Sequence, residues 1–285
     1  MIGFHFFSFS GVIWRENQGG LFPLSPPSVL SGLSERDACE ALKSQGKLFL
    51  RWESDFDQAP GCPWWHIIKD GNCSLAELSS NTRSKVRRGL KAYDCDLLSL
   101  SLLLDEGYEV YRNAFSRYET HESEFSQSEF ENALKALPEQ TEFWGVREKG
   151  TGKLVAFSEN HVESEVCFYN TIWFEPSALK KYSSYALFYE MNRYYLEDRG
   201  CQYLSDGARS LSHTTQIHDF LESKFGFRKA YARLHVVYTP WLGIVVATFY
   251  PLRKLICKVP YGPFKKASIL LRQEEIRRQC AEGAV

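Results

Sequence analysis

Apolar and polar positions between residues 166 and 227 follow two periodicities in turn. A run rich in Val, Ile, Phe, Tyr and Trp at 166–174 predicts a strand. Within 183–197, apolar side chains recur at helical spacing, which predicts a helix with one apolar face. These side chains are Leu187, Met191, Tyr194 and Tyr195. A second strand at 202–205 and a helix that ends at 221–227 complete a predicted βαβα unit.

The turn at 175–182 leads into the first of these helices. The first amide groups of a helix have no partner inside the helix, and the helix dipole makes this end positive. Such an end is suited to bind phosphate. The pattern therefore predicts an anion site where this helix begins.

Residues 181–186 read Lys-Tyr-Ser-Ser-Tyr-Ala. This hexapeptide resembles the Gln/Arg-x-x-Gly-x-Gly/Ala signature of the GNAT superfamily of acyltransferases, with Lys181 at the Gln/Arg position and Ser184 at the Gly position. A second GNAT signature, Asn-x-x-Ala-x-x-Leu-Tyr-x-Lys-x-Gly-Phe, falls on 215–227 and keeps its Lys-x-Gly-Phe ending. Glu222 stands where the family often has a general-acid tyrosine.

The resemblance implies an α+β fold with a central, mostly antiparallel twisted sheet flanked by helices. It also implies that acyl-coenzyme A is the donor and that no metal takes part. The residues that would hold the donor are Lys181, Tyr182, Ser183, Ser184, Tyr185, Ala186, Thr215 and Lys224. An ordinary helix N-terminus capped by a serine is the alternative interpretation of this turn.

A basic segment precedes this unit. Arg83, Arg87 and Lys91 are spaced four apart, so they form one stripe on a helix, and Lys85 and Arg88 flank it. One interpretation is a grip for the phosphates of RNA, a nucleotide-linked substrate or the coenzyme, and the other is a solvated helix face. The looser turn and this basic segment are most similar to the Fem-type (FemAB-like) branch. That branch includes aminoacyl-tRNA-dependent transferases and acyltransferases of envelope or polysaccharide pathways, which would make tRNA a partner of Arg83, Arg87, Arg88 and Lys91.

Acyl transfer to an amine requires a base for the amine and a group that polarises the carbonyl. In GNAT enzymes two splayed central strands form the slot for these groups, and here the candidates are Asp206, Glu159 and Asn170, with His161 as a weaker one. Asp206 comes at the carboxyl end of a strand, which is the usual ligand edge of α/β folds. The alternatives are a turn role for Asp206 and an exposed strand position for Glu159. His213 and His218 are interpreted as capping or surface residues.

The sequence predicts three regions. Residues 1–95 form an N-terminal region, a reduced GNAT-like half or a cap, 96–240 form the GNAT-like domain, and 241–285 form a basic, helical extension. Residues 1–33 give no clear elements. The apolar stretch 234–252 is interrupted by Pro240, Gly243 and Pro251, so it predicts a buried or interfacial segment rather than a membrane span. A helix at 265–278 would pack against the domain or contact anionic lipid or RNA.

Composition limits the classes of protein to which this chain can belong. The net charge of -1 argues against a protein dominated by nonspecific nucleic-acid binding. Eight cysteines without metal spacing, and an N-terminus without a basic leader, predict free thiols and a cytoplasmic location. Three functions stay open: acyl transfer from acyl-coenzyme A to an amine of a small molecule or of an envelope or polysaccharide precursor, aminoacyl-tRNA-dependent transfer, and a non-catalytic GNAT-like binding module.

Overall fold

The computed structural model describes residues 4–117, 123–211, 216–258 and 262–282. The chain divides into two units that are interleaved along the sequence. The first is built mainly from Ile68–Gly207 and Ile217–Arg228, and the second from His5–Ile67, Ala208–Gln216 and Lys229–Val285. The three-region division at residues 95 and 240 stays a prediction.

Twelve strands and ten α-helices lie in the described ranges. The strands are β1 His5–Phe9, β2 Val12–Asn17, β3 Gly20–Pro23, β4 Phe49–Ser54, β5 Trp65–Lys69, β6 Tyr93–Leu98, β7 Thr141–Glu148, β8 Leu154–Glu163, β9 Val166–Phe174, β10 Tyr203–Ala208, β11 Arg228–Tyr231 and β12 Arg233–Tyr238. The helices are α1 Glu35–Ser44, α2 Ser80–Ala92, α3 Leu100–Phe115, α4 Gln127–Lys135, α5 Pro176–Leu179, α6 Ser183–Arg193, α7 Gln216–Phe225, α8 Pro240–Phe249, α9 Arg253–Ile256 and α10 Gly262–Glu282.

A seven-stranded sheet has the order β11-β5-β10-β9-β8-β7-β6. Strands β6 to β9 pair antiparallel, and β10 pairs parallel with β9. Helices α3 and α4 cover one face through a cluster that contains Tyr111, Phe130 and Phe157. The predicted α+β class with a mostly antiparallel sheet is confirmed, as are the strand at 166–174 and the helix that begins at Ser183.

A five-stranded sheet, β1-β2-β3-β4-β12, forms the centre of the second unit. Its core contains Trp14, Leu21 and Leu50, all fully buried. Ser34 caps α1 in a capping box with Asp37. Residues 5–23, part of the stretch in which the sequence showed no clear elements, supply β1 to β3 of this sheet.

The structure bears on two predictions about this unit. Cys62 and Cys280 form a disulfide, so the prediction of eight free thiols is wrong, and the other six cysteines are free. Spacing along the sequence gave no sign of this pair, because the two residues are 218 positions apart. The apolar stretch 234–252 contains most of β12 and all of α8. None of the described helices is long and apolar enough to cross a membrane.

Candidate functional site

Strands β9 and β10 separate within the seven-stranded sheet. They pair through only three positions, of which Ser205 opposite Phe168 is the last. Strand β9 then continues to Phe174 along β8, whereas β10 ends at Ala208. Asp206 and the residues after it therefore lie where the two parallel strands part, as the GNAT resemblance implies.

Asn170 lies in a β-bulge on β9. In the register with β8, Asn160 faces Tyr169 and Glu159 faces Thr171, so Asn170 is the extra residue. A bulge redirects side chains and frees backbone groups from the ladder. The Asn170 Nδ2 is buried and has no hydrogen-bond partner within the described part of the chain. The bulge thus places an unused donor at the point where β9 leaves β10.

Asp206 contacts His218 of α7, with 3.3 Å between Oδ2 and Nε2. The Asp206 side chain is only 10% exposed and the His218 side chain only 8%. Burial raises the pKa of Asp206, and His218 opposes that rise. The interpretation of His218 as a capping or surface residue is wrong, while His213 lies outside the described residues. His218 shares the buried face of α7 with Leu221 and Phe225 at i, i+3 and i+7, a spacing that the sequence shows.

Glu159 and His161 are fully buried on β8, so the alternative that Glu159 sits on a solvent face is wrong. Ser158 and Asn160 contact Met191 of α6 through its sulfur, at 3.3 Å each. Alternation along a strand puts Glu159 on the opposite face, with Phe157 and the cluster of α3 and α4. His161 Nε2 lies 3.0 Å from Glu163 Oε2.

The start of α6 is where the sequence predicts an anion site. Tyr182, its N-cap residue, has a left-handed conformation with φ 67° and provides no side-chain cap. Ser183 is fully buried, and its Oγ has no hydrogen-bond partner in the described chain. Ser184 is half-buried, and Tyr185 and Ala186 are buried in the first turn. A polar atom buried without a partner at a helix N-terminus fits a hydrogen-bonding ligand there.

Three other residues were predicted to bind the acyl donor. Lys181 is exposed, and its Nζ forms an ion pair of 2.8 Å with Glu148, which raises the lysine pKa. Lys224 is half-buried in the last turn of α7. Thr215 lies outside the described residues. Lys181 could therefore turn its charge toward a ligand at α6 only by leaving Glu148.

Basic helix α2 packs directly on this turn. A Cβ added at Gly89 would lie 2.6 Å from the carbonyl oxygen of Tyr182, so only glycine allows this approach. Lys85 Nζ lies 3.3 Å from Tyr185 Oη, and the Arg88 guanidinium lies 4.6 Å from the centre of the Tyr182 ring. The sequence identified the two segments separately, and the fold brings them together.

The rest of α2 lines a surface cavity of about 370 Å³. Its lining consists of two serines and four basic residues: Ser80, Arg83, Ser84, Arg87, Arg88 and Lys91. Arg88 therefore joins this cavity to the start of α6. Elsewhere in the described ranges, His, Cys, Asp and Glu side chains form no cluster of three or more that could bind a metal ion.

Solved structures share this fold over most of their length. The crystal structure of FemX is similar to this chain at 11% identity, with a TM-score of 0.56 and coverage of 89% of this chain and 90% of that one. The C-terminal domain of a putative lysylphosphatidylglycerol synthetase from Agrobacterium fabrum gives 14% identity, a TM-score of 0.51 and coverage of 87% and 88%. L-PGS from Bacillus licheniformis is similar at 13% identity, with a TM-score of 0.51 and coverage of 95% of this chain and 88% of that one.

No protein-family model and no curated protein matches this sequence significantly. At such low identities the similarity concerns the fold. The chain has a GNAT-like fold of the Fem type, which confirms the resemblance drawn from residues 181–186 and 215–227.

Proposed function

We propose that this protein transfers an acyl or aminoacyl group from a phosphate-bearing activated donor to an amine. One observation carries the proposal. The point where β9 and β10 part is flanked by the bulge at Asn170 and the buried pair Asp206–His218, and a basic helix packs on the N-terminus of α6 that follows β9.

Asp206 is the general base of this proposal. The amine nitrogen attacks the donor carbonyl carbon, the new C–N bond forms, and the proton leaves the amine for the Asp206 carboxylate. Its raised pKa makes Asp206 a stronger base than an exposed aspartate, and His218 holds the carboxylate in place. The C–S bond of a thioester or the C–O bond of an ester then breaks, and the leaving group takes up a proton.

Asn170 supplies the second requirement of the reaction. The oxygen of the attacked carbonyl gains negative charge in the transition state, and preorganised N–H donors stabilise it. The buried Nδ2 of Asn170 is such a donor, and the bulge frees backbone groups at the same place. Glu159, on the face covered by α3 and α4, is proposed to contact the amine substrate rather than the donor.

Acyl-coenzyme A is the first candidate donor, with its phosphates at the first turn of α6 and beside Lys85 and Arg88. The alternative is aminoacyl-tRNA, and one observation favours it. The positive charge extends beyond α6 along Arg83, Arg87 and Lys91, a track longer than one pyrophosphate requires. The acceptor class is an amine on a small molecule or on an envelope or polysaccharide precursor.

Binding measurements separate the donors. Titration with acetyl-coenzyme A and with aminoacylated tRNA is followed by thermal stabilisation and by filter binding at several salt concentrations. Arg88→Gln is expected to weaken the true donor about tenfold, because it removes the charge nearest to Tyr182. Lys135→Gln, in an exposed pair on α4, is the matched control and is expected to change nothing. Binding of neither donor would refute the proposal and leave a non-catalytic module.

The catalytic assignment has its own test. Asp206→Asn is expected to lower turnover at least a hundredfold while donor affinity stays within about twofold, because the residue acts on the amine. Unchanged turnover would remove Asp206 from the mechanism without touching the donor site.

A further inference from the structure

We propose that the exposed apolar surface of residues 241–255, which we term the apolar ridge, docks on an anionic lipid bilayer. The ridge consists of six large apolar side chains that stay exposed in this one short segment: Trp241, Ile244, Val245, Phe249, Leu252 and Leu255. Ile244 and Leu255 keep 69% and 66% of their surface, and Trp241 keeps 56%. Large apolar side chains left exposed together in one short segment are typical of an interaction surface.

The ridge follows from how α8 packs. Leu242 and Val246, spaced four apart, are buried against Leu271 of α10 and hold the inner face of the helix. Ile244 then falls on the outer face of the same helix, with Trp241 and Val245 to one side of it. Phe249, seven positions after Leu242, is exposed where the helix ends. The ridge is therefore exposed although α8 is anchored, because other side chains of the helix make its contacts with α10.

The charge of the segment indicates what covers it. From Pro240 to Gln273 the chain has no Asp or Glu, and six basic residues: Arg253, Lys254, Lys258, Lys265, Lys266 and Arg272. Lys254 and Lys258 are exposed. Arg253 pairs with Glu275 at 2.8 Å, so its charge is partly neutralised. Each free lysine near an anionic membrane surface adds attraction, and the effect falls within a Debye length.

This combination fits a lipid surface better than the alternatives. A symmetric contact between two copies would place the same lysines opposite each other, without an acidic residue in the segment to pair with them. RNA would satisfy the lysines but offers phosphates and bases, which do not cover aliphatic Ile244 and Leu255. A bilayer surface supplies both an apolar layer and negative charge.

The dimensions fit an interfacial arrangement. The ten residues of α8 give a length of about 15 Å at 1.5 Å per residue. The hydrocarbon core of a bilayer is about 30 Å thick, so α8 would lie along its surface with the ridge inserted. Trp241 would sit at the level of the headgroups, where tryptophan is enriched.

Vesicle binding by the full chain tests the proposal. Sedimentation with vesicles of equal parts phosphatidylglycerol and phosphatidylcholine is compared with pure phosphatidylcholine. We expect at least about tenfold stronger binding to the anionic vesicles, weakened by salt. The double variant I244S/L255S is expected to reduce binding at least about tenfold, because both side chains lose their apolar carbons. Leu102→Ser, an exposed position on α3, is the matched control.

Charge and shape readouts complete the test. Lys254→Gln with Lys258→Gln is expected to remove the preference for anionic vesicles while the protein stays folded. Absence of binding to either vesicle, or unchanged binding by I244S/L255S, would overturn the proposal. A dimer in light scattering that this variant abolishes, without vesicle binding, would assign the ridge to a second copy. Salt-sensitive tRNA binding that only the lysine variant loses would assign the basic segment to RNA.

Discussion

Replacement of Gly89 by alanine tests the contact between α2 and the start of α6. The new Cβ would lie 2.6 Å from the carbonyl oxygen of Tyr182, 3.1 Å from the Cβ of Ala186 and 3.3 Å from its backbone nitrogen. Two of these three atoms belong to the backbone, so no side-chain rotation relieves the overlap. The two helices must move apart, and the first turn of α6 moves with respect to Lys85 and Arg88.

The expected change in the free energy of unfolding is the difference between two opposing effects. Alanine in place of glycine within a helix stabilises by about 1 kcal/mol. Overpacking a tight contact costs about 1–3 kcal/mol. The net result at Gly89 is a destabilisation of about 0–2 kcal/mol. Gly243 of α8 is the matched control, because its added Cβ would meet only the Cβ of Tyr238 at an ordinary 3.8 Å, so Gly243→Ala should stabilise by about 0.5–1 kcal/mol.

Urea unfolding of both variants, followed by circular dichroism, measures this difference. We expect the free energy of unfolding of Gly89→Ala to fall below that of Gly243→Ala by about 0.5–3 kcal/mol. Donor affinity should fall for Gly89→Ala and stay unchanged for Gly243→Ala. Equal stabilisation by both substitutions would show that α2 does not approach α6 as described, and would remove the basic helix from the donor site.

Three further predictions concern buried groups. Because the pKa of Asp206 is raised by burial, kcat/KM should fall on the acid side at a pH above the ordinary aspartate value of about 3.9, and His218→Gln should move that limb higher still, as a pH profile would show. Burial opposes ionisation of Glu53, yet neighbouring imidazole, guanidinium and indole groups lower its pKa overall. Glu53→Gln should therefore destabilise by about 3 kcal/mol at pH 7 in urea unfolding, and the difference should vanish as pH falls through the lowered pKa; equal loss at all pH values would contradict this. Thiol titration of the unfolded, unreduced chain should give six free thiols because Cys62 and Cys280 are paired, and eight would refute the disulfide.

Local patterns predicted the central part of the fold well. The β-branched and aromatic run at 166–174 and the helical spacing after Ser183 define β9 and α6, because each pattern reports a buried face directly. The capping box of Ser34 and Asp37 sets the start of α1 through contacts that are equally local. Such signals depend on neighbours within one turn or one strand.

The parts that escaped prediction depend on distant partners. The bulge that isolates Asn170 arises from the register between two strands, and no single-strand pattern encodes it. His218 becomes part of the site only because α7 lies against the end of β10. Its spacing with Leu221 and Phe225 is typical of a buried position, which the interpretation of His218 as a capping or surface residue missed. A polar side chain on an apolar face also does not reveal its partner.

The source of positive charge at the proposed donor site follows from comparing Lys181 with Arg88. Lys181 occupies the motif position, but its ammonium already pairs with Glu148 at 2.8 Å. A donor phosphate can therefore compete for Lys181 only by leaving Glu148 without its partner, which cancels part of the gain. Arg88 has no such cost among its described contacts, which are the ring and hydroxyl of Tyr182. Donor binding should therefore depend more on Arg88 than on Lys181, and the family motif alone would rank them in the opposite order.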